Sequence, residues 1–213
     1  MKRRTRAVWP VVLAVLSPAV LGGCESTARQ DPFFVRPSTD TLVFRDTSLF
    51  RDRPLDDSLR GSLALADYST ALIQTGLMTQ LQQPGPYTVF AIPNTPLEAA
   101  QTADGGHLLD PAMRPSLRRM MAYTIVPGAF TTSELRQMIA KRGGPIGLRT
   151  IDGDILSVSI EPGTGELLLG DTQGRTSRIW LSDMPQSNGV LYATQSMLTP
   201  GVVASGQVPA TIR

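Results

Sequence analysis

The sequence contains one cysteine and one histidine among 213 residues. A disulfide within one molecule is therefore excluded. His107 has no cysteine or histidine partners with which to build a zinc site. No Gly-x-Ser-x-Gly elbow, no glycine-rich phosphate loop ending in Lys-Ser/Thr and no His-Glu-x-x-His is present. One loop histidine cannot support a nucleophile–base pair of the usual kind, so the residues offer no hydrolase. An apolar run long enough to span a membrane is also missing. The longest, Ala7 to Leu21, is interrupted by Pro10, Ser17 and Pro18 and falls short of the roughly 20 residues a bilayer core requires.

What the first residues do contain is a basic start, Lys2, Arg3, Arg4 and Arg6, then that short apolar stretch, then Leu21-Gly22-Gly23-Cys24. This is the layout of a secretory signal. Leu-Gly-Gly-Cys resembles the lipobox of bacterial lipoproteins. The resemblance implies cleavage between Gly23 and Cys24, a diacylglycerol on the Cys24 thiol and often an acylated new amine. Two or more chains anchor stably where one does not. The alternative is a plain secretory signal that happens to hold a cysteine. Arg3-Arg4 hints at twin-arginine export, but Thr5-Arg6-Ala7 fits that signal poorly. Glu25 after the cysteine leans toward the outer over the inner membrane of the cell envelope.

Removing residues 1–23 takes away four basic and no acidic residues, leaving 16 basic against 18 acidic, a formal charge of −2. The sequence pI of about 9.0 therefore belongs largely to the leader. Nucleic acid is excluded as a partner, because it wants a basic domain. Residues 24–57 read as the lipidated N-terminus and a solvated tether, broken by prolines and scattered charge. Phe33-Phe34-Val35 and Leu42-Val43-Phe44 are too apolar for a pure linker and are candidates for docking on the domain or the bilayer, or for sticky clusters without a role. One domain of about 140 residues follows, large enough to bury roughly two-thirds of its surface.

From Ser58 the chain is patterned. Leu59, Leu63 and Ala66, then Tyr68, Ala71 and Leu72, recur at helical spacing. Asp67 is placed to cap the second helix and Gly76 to end it. Leu77, Met78 and Leu81 suggest a third turn, and Pro84-Gly85-Pro86 a break. Tyr87 to Ile92 is a strand apolar on both faces, so central in a sheet, and Pro93-Asn94-Thr95-Pro96 ends it. Asp110-Pro111 opens a helix with Leu117, Met120 and Met121 as its stripe. Tyr123 to Val126 is a strand closed by Pro127-Gly128. Thr131 and Glu134 have capping-box spacing, and Gly143-Gly144 stops that helix. The period then becomes two. Strands carry Leu156, Val158 and Ile160, then Leu167 to Leu169, then Ile179 to Leu181, and last Val190 to Ala193. Turns are expected at Ile151 to Asp154, Pro162-Gly163, Asp171 to Gly174 and Asn188-Gly189, the last because both residues tolerate positive φ. Pro200-Gly201 closes the domain, and residues 201–213 read as a loose tail.

In order along the chain, three segments resemble the fasciclin domain. Tyr87-Thr88-Val89-Phe90-Ala91-Ile92-Pro93-Asn94 looks like its first signature. Leu117 to Gly128, ending Ala122-Tyr123-Thr124-Ile125-Val126-Pro127-Gly128, looks like its central segment. Ser187-Asn188-Gly189-Val190-Leu191-Tyr192 with Leu198-Thr199-Pro200 looks like its second. Gly153 stands where the family has a glycine between two strands. The likeness covers about residues 58–200. It implies an α+β fold, a compact β-sheet core or wedge with several short helices packed around it. It also implies adhesion or interaction with a protein or polysaccharide, without enzymatic activity or cofactor. The family often has histidine where Thr124 stands and near Tyr192, an aspartate near Gln195, and an aromatic where Leu97 stands. The integrin-binding role of the tyrosine-histidine segment in animal members is therefore not carried over.

The remaining polar groups read as structural. Asp56-Asp57 are helix-start charges. Asp152 and Asp154 flank a turn glycine, with metal binding the minor alternative. Arg118-Arg119 and Lys141-Arg142 read as solvated faces, His107 as a solvated side chain, and Trp180 as an anchor of the strand core. A second function class, a small-ligand carrier or sensor of the envelope, needs a concave apolar pocket.

Overall fold

The computed structural model describes residues 52–201. The leader 1–23, Gly23 and Cys24, the apolar clusters at 33–35 and 42–44, and the tail from 202 lie outside the described residues.

Helix α1 spans Leu55–Gly61, with Asp56 and Asp57 in its first turn, where carboxylates complement the helix dipole. The packed domain therefore includes Leu55, ahead of the tether boundary at 57 read from the sequence. Leu55 is fully buried, and its N–H bonds a residue 133 positions away. No local period could announce that contact. A 3-10 turn, Leu63–Leu65, leads into α2 (Ala66–Gln74), and Gly76 at φ 75 ends it and starts α3 (Leu77–Leu81). Asp67 is not the cap of α2. Leu65 holds the N-cap position, and Asp67 lies inside the first turn.

Strand β1 (Tyr87–Ala91) is followed by α4 (Asn94–Ala103). Pro93-Asn94-Thr95-Pro96 does end the strand, and it also opens a helix that the sequence reading lacked. Proline is compatible with the first turn, whose N–H groups have no partner within the helix. A 3-10 turn at Pro111–Met113 precedes α5 (Arg114–Ala122). Asp110 makes no capping bond there. Strand β2 is short, Ile125–Pro127. Helix α6 (Thr132–Arg142) carries the expected capping box between Thr131 and Glu134 and ends at Gly143, φ 73. Five strands complete the domain: β3 (Ile146–Arg149), β4 (Ile155–Ile160), β5 (Leu167–Gly170), β6 (Thr176–Gln186) and β7 (Gly189–Thr194).

The seven strands form one sheet in the order β2-β1-β7-β6-β5-β4-β3. Every pairing is antiparallel except β1 with β7, which is parallel. The continuous apolarity of β1 and β7 follows from two cores. Val89, Ala91, Leu191 and Ala193 face the layer of helices α1 to α5. Phe90, Val190 and Tyr192 face the other way, onto β3, β4, β5 and α6. The Phe90 and Tyr192 rings stack with centroids 5.1 Å apart. The sheet curls around this second core into a near-barrel, until the Ile151 N–H reaches the Ile125 carbonyl at 3.0 Å. Trp180 is only half-buried on β6, not a fully enclosed anchor. Among the described residues, no helix is long and apolar enough to cross a membrane.

Candidate functional site

The two signature segments are a single structural unit. Parallel pairing sets Tyr87 opposite Gly189, Thr88 opposite Val190, and Phe90 opposite Tyr192. Each segment supplies one asparagine to the helical layer, at opposite ends of the strand pair. Asn188 accepts from the Leu55 N–H and donates to the Leu81 carbonyl, both at 2.8 Å. Its own carbonyl accepts from the Tyr87 N–H at 3.0 Å. Asn94 accepts from the Asp67 N–H at 3.2 Å and donates to the Leu63 carbonyl at 2.9 Å. Neither Asn188 nor Gly189 has positive φ, which corrects the reason given for their place in the turn. Asn188 is there for its side chain, and Gly189 because the chains approach closely.

The central segment serves packing too. Thr124 is buried. Its hydroxyl donates to the Met121 carbonyl at 2.7 Å and stands 2.5 Å from the Tyr68 hydroxyl, which must then be the donor between them. Thr88, fully buried, donates to the Gly128 carbonyl at 2.7 Å and accepts from the Phe130 N–H at 2.9 Å. Tyr123 donates to the Ile155 carbonyl and Tyr192 to the Phe130 carbonyl, each at 2.8 Å. Burial raises the pKa of Tyr68, Tyr123 and Tyr192, so all three are neutral hydrogen-bond donors at ordinary pH. Gly153 has φ 90 in the turn from β3 to β4, as its place between strands implied. Pro200 stands beside the groove described next.

The charged pairs read from the sequence meet each other. Arg119 holds Asp154 through two bonds of 3.1 and 2.9 Å and also donates to the Gly201 carbonyl at 2.9 Å. Arg118 lies 3.6 Å from Asp152 and donates to the Thr75 carbonyl at 3.1 Å. These arginines are thus cross-links between α5 and the turn after β3, not a merely solvated face. The same contacts neutralise the two carboxylates that were the candidate metal ligands. Among the described residues there is no group of three or more histidine, cysteine or acidic side chains able to hold a metal ion. His107 is exposed, and Asp110, 2.9 Å away, raises its pKa.

What the packing leaves open is a groove of about 620 Å³ between α4, α5 and the segment 197–200. Met113, Met120, Met197 and Leu108 supply apolar surface, and Arg119, Arg175 and Asp104 bring charge. Asp171 fixes Arg175 through a 2.6 Å bond, and Arg175 reaches on to the Thr199 hydroxyl. Methionines adapt their shape to varied partners, and arginine beside apolar surface is common at interfaces. No single sequence motif marks this groove, because its residues come from four separate stretches. Inside the near-barrel, by contrast, the void beside Tyr123 and Leu156 holds only about 10 Å³, about one water.

A curled sheet with a helical layer, and motif residues spent on packing, describe a domain of α+β class. The chain belongs to the fasciclin family: a family model described as Fasciclin domain matches residues 64–200. Protein sll1483 of Synechocystis sp. is 23% identical over 140 residues, covering 66% of this chain and 69% of that protein. Mouse Stabilin-1 is 31% identical over 138 residues, 64% of this chain but 5% of its own length. The solved structure of a FAS1 domain pair from the insect cell adhesion molecule Fasciclin I superposes with a TM-score of 0.59 at 13% identity. It covers 68% of this chain and 50% of that one, and shares the fold. Fasciclin domains are associated with cell adhesion and interaction, and are typically non-enzymatic modules.

Proposed function

We propose that this protein is a non-enzymatic lipoprotein of the cell envelope whose fasciclin domain binds a protein or polysaccharide partner. The observation that carries the reading is the groove between α4 and α5, with adaptable methionines beside fixed arginines. Support also comes from the described adhesive role of Fasciclin I and from the Leu-Gly-Gly-Cys segment, through which Cys24 would hold the domain to the outer membrane by lipid. A small-ligand carrier is the second reading; it would use the same groove, since the void beside Tyr123 and Leu156 admits about one water.

The test is saturable binding of the purified protein to intact cells, exopolysaccharide and envelope proteins. Met113→Glu, at a groove residue half-buried on the 3-10 turn before α5, is expected to weaken the specific signal about tenfold, the scale of one interface anchor, with the melting temperature measured beside it to separate lost binding from lost folding. Silence across the whole panel sinks the reading. Cys24→Ser is expected to abolish lipid labelling and release the protein from membranes or block its processing. Unchanged labelling would overturn the anchor while leaving the domain assignment intact.

A further inference from the structure

The groove between α4 and α5 holds one charge that the domain does not answer. Arg119 is paired with Asp154, and Arg175 with Asp171. Both arginines also donate to carbonyls of the segment beside the groove, at Gly201 and Thr199. Asp104 lines the groove as well, and it is exposed. Among the described residues no hydrogen bond or ion pair reaches its carboxylate, and the neighbouring His107 is hydrogen-bonded to Asp110 instead. Counting the partners of its arginines, the groove carries two positive and three negative charges. Asp104 also stands where folding alone disfavours it. It is the C-cap of α4, at the negative end of the helix dipole, where a cation stabilises and a carboxylate does the reverse. A local rule broken without a packing gain is the mark of a functional position.

We infer that the groove takes a protein segment presenting apolar side chains together with a lysine or arginine that pairs with Asp104. The inference rests on the partner-binding reading and narrows it from a protein or polysaccharide to a protein. The remaining lining decides between those two. Met113, Met120 and Met197 are half-buried, and none of the described lining residues is aromatic. The Thr199 hydroxyl and both arginines are already engaged. A sugar chain would bring hydroxyls onto methionine surface with few groups left to pair them, and unpaired polar groups are costly to desolvate. Apolar side chains carry no such cost, and flexible thioethers repack around them. Apolar contact therefore supplies most of the affinity. Asp104 sets the sign of the charge that is accepted, because complementary charge selects partners more than it tightens them.

Selection of a displayed library of random peptides on the full chain tests it, with exopolysaccharide as the competing ligand. The selected peptides are expected to combine leucine, methionine or phenylalanine with lysine or arginine. Met113→Gln, which removes apolar contact without adding charge, is expected to weaken them about tenfold. Asp104→Lys is expected to weaken them about threefold, the scale of one exposed ion pair, and to turn a fresh selection toward aspartate and glutamate. That variant keeps the fold, since lysine complements the dipole at this cap. Its effect is expected to vanish in 1 M salt, where screening acts over about 3 Å. Selected peptides without positive charge, or binding that Asp104→Lys leaves unmoved, overturn the inference while partner binding stands. Exopolysaccharide binding that is lost in Met113→Gln does the same, in favour of a sugar ligand. Absence of any binding to peptides, exopolysaccharide, cells or envelope proteins sinks the partner-binding reading, and this inference with it.

Discussion

Gly189 lies so close to Tyr87 that a Cβ on it would sit 1.9 Å from the Tyr87 carbonyl oxygen and 3.0 Å from a Leu55 methyl. The contact is backbone against backbone, where the second signature strand begins beside the first, so no rotamer change relieves it. Gly189→Ala is therefore expected to cost about 3 kcal/mol or more, the upper range for overpacking a rigid site. Gly144→Ala, with nothing within 4 Å of its new methyl, is expected to change stability little. Urea unfolding of the two variants checks the contrast, and equal costs would contradict the geometry.

Asn188 joins the start of α1 to the end of α3 through two side-chain bonds. Its truncation to alanine strips the Leu55 N–H and the Leu81 carbonyl of their partner at once. About 2 kcal/mol should be lost, the cost of leaving buried polar groups unmet. Asn94→Ala, in a more exposed bracket, should lose about half as much or less. Thermal unfolding of both variants gives the comparison.

The three buried tyrosines predict the alkaline limit. Each has its pKa raised above the ordinary 10.0 by burial. The folded state therefore favours the neutral phenol. That stabilisation is fully present below pH about 10 and is lost as pH climbs through the raised folded values. Stability should be flat on approach to pH 10 and fall above it, with tyrosinate absorbance from Tyr68, Tyr123 and Tyr192 appearing together with unfolding. Tyrosinate absorbance from all four tyrosines near pH 10 in a still-folded protein would contradict it. Thr124→Val, which orphans the Tyr68 hydroxyl, should cost about 2 kcal/mol at neutral pH.

Arg119 and Asp154 form a two-bond pair that is partly open to solvent. A double-mutant cycle with Arg119→Met and Asp154→Asn should give a coupling of about 1 kcal/mol. It should shrink in 1 M salt, where screening acts over about 3 Å. A coupling near zero at low salt would return both residues to the solvated surface.

Much of the fold is legible locally because the relevant interactions are local. The Thr131 and Glu134 capping box, the helix stop at Gly143 and the turn at Gly153 are each fixed within a few residues, so spacing and residue type suffice. The apolarity of β1 marked it as interior because it faces a core on both sides, and the structure shows β7 in the same position. The family motifs were found for a related reason: their strands and turns are contiguous in the chain.

What sequence alone determined about this protein is thus its α+β class, its family and most element positions, together with the expectation of a lipidated Cys24. Only tertiary structure decided that Leu55 belongs to the domain, that Asn188 is a bracket, and that Arg118 and Arg119 answer Asp152 and Asp154. It also decided where the groove between α4 and α5 lies. The physical reason is common to all of these. Each depends on groups dozens of residues apart, whose meeting is set by the curl and register of the sheet, and no periodicity within a single segment encodes it.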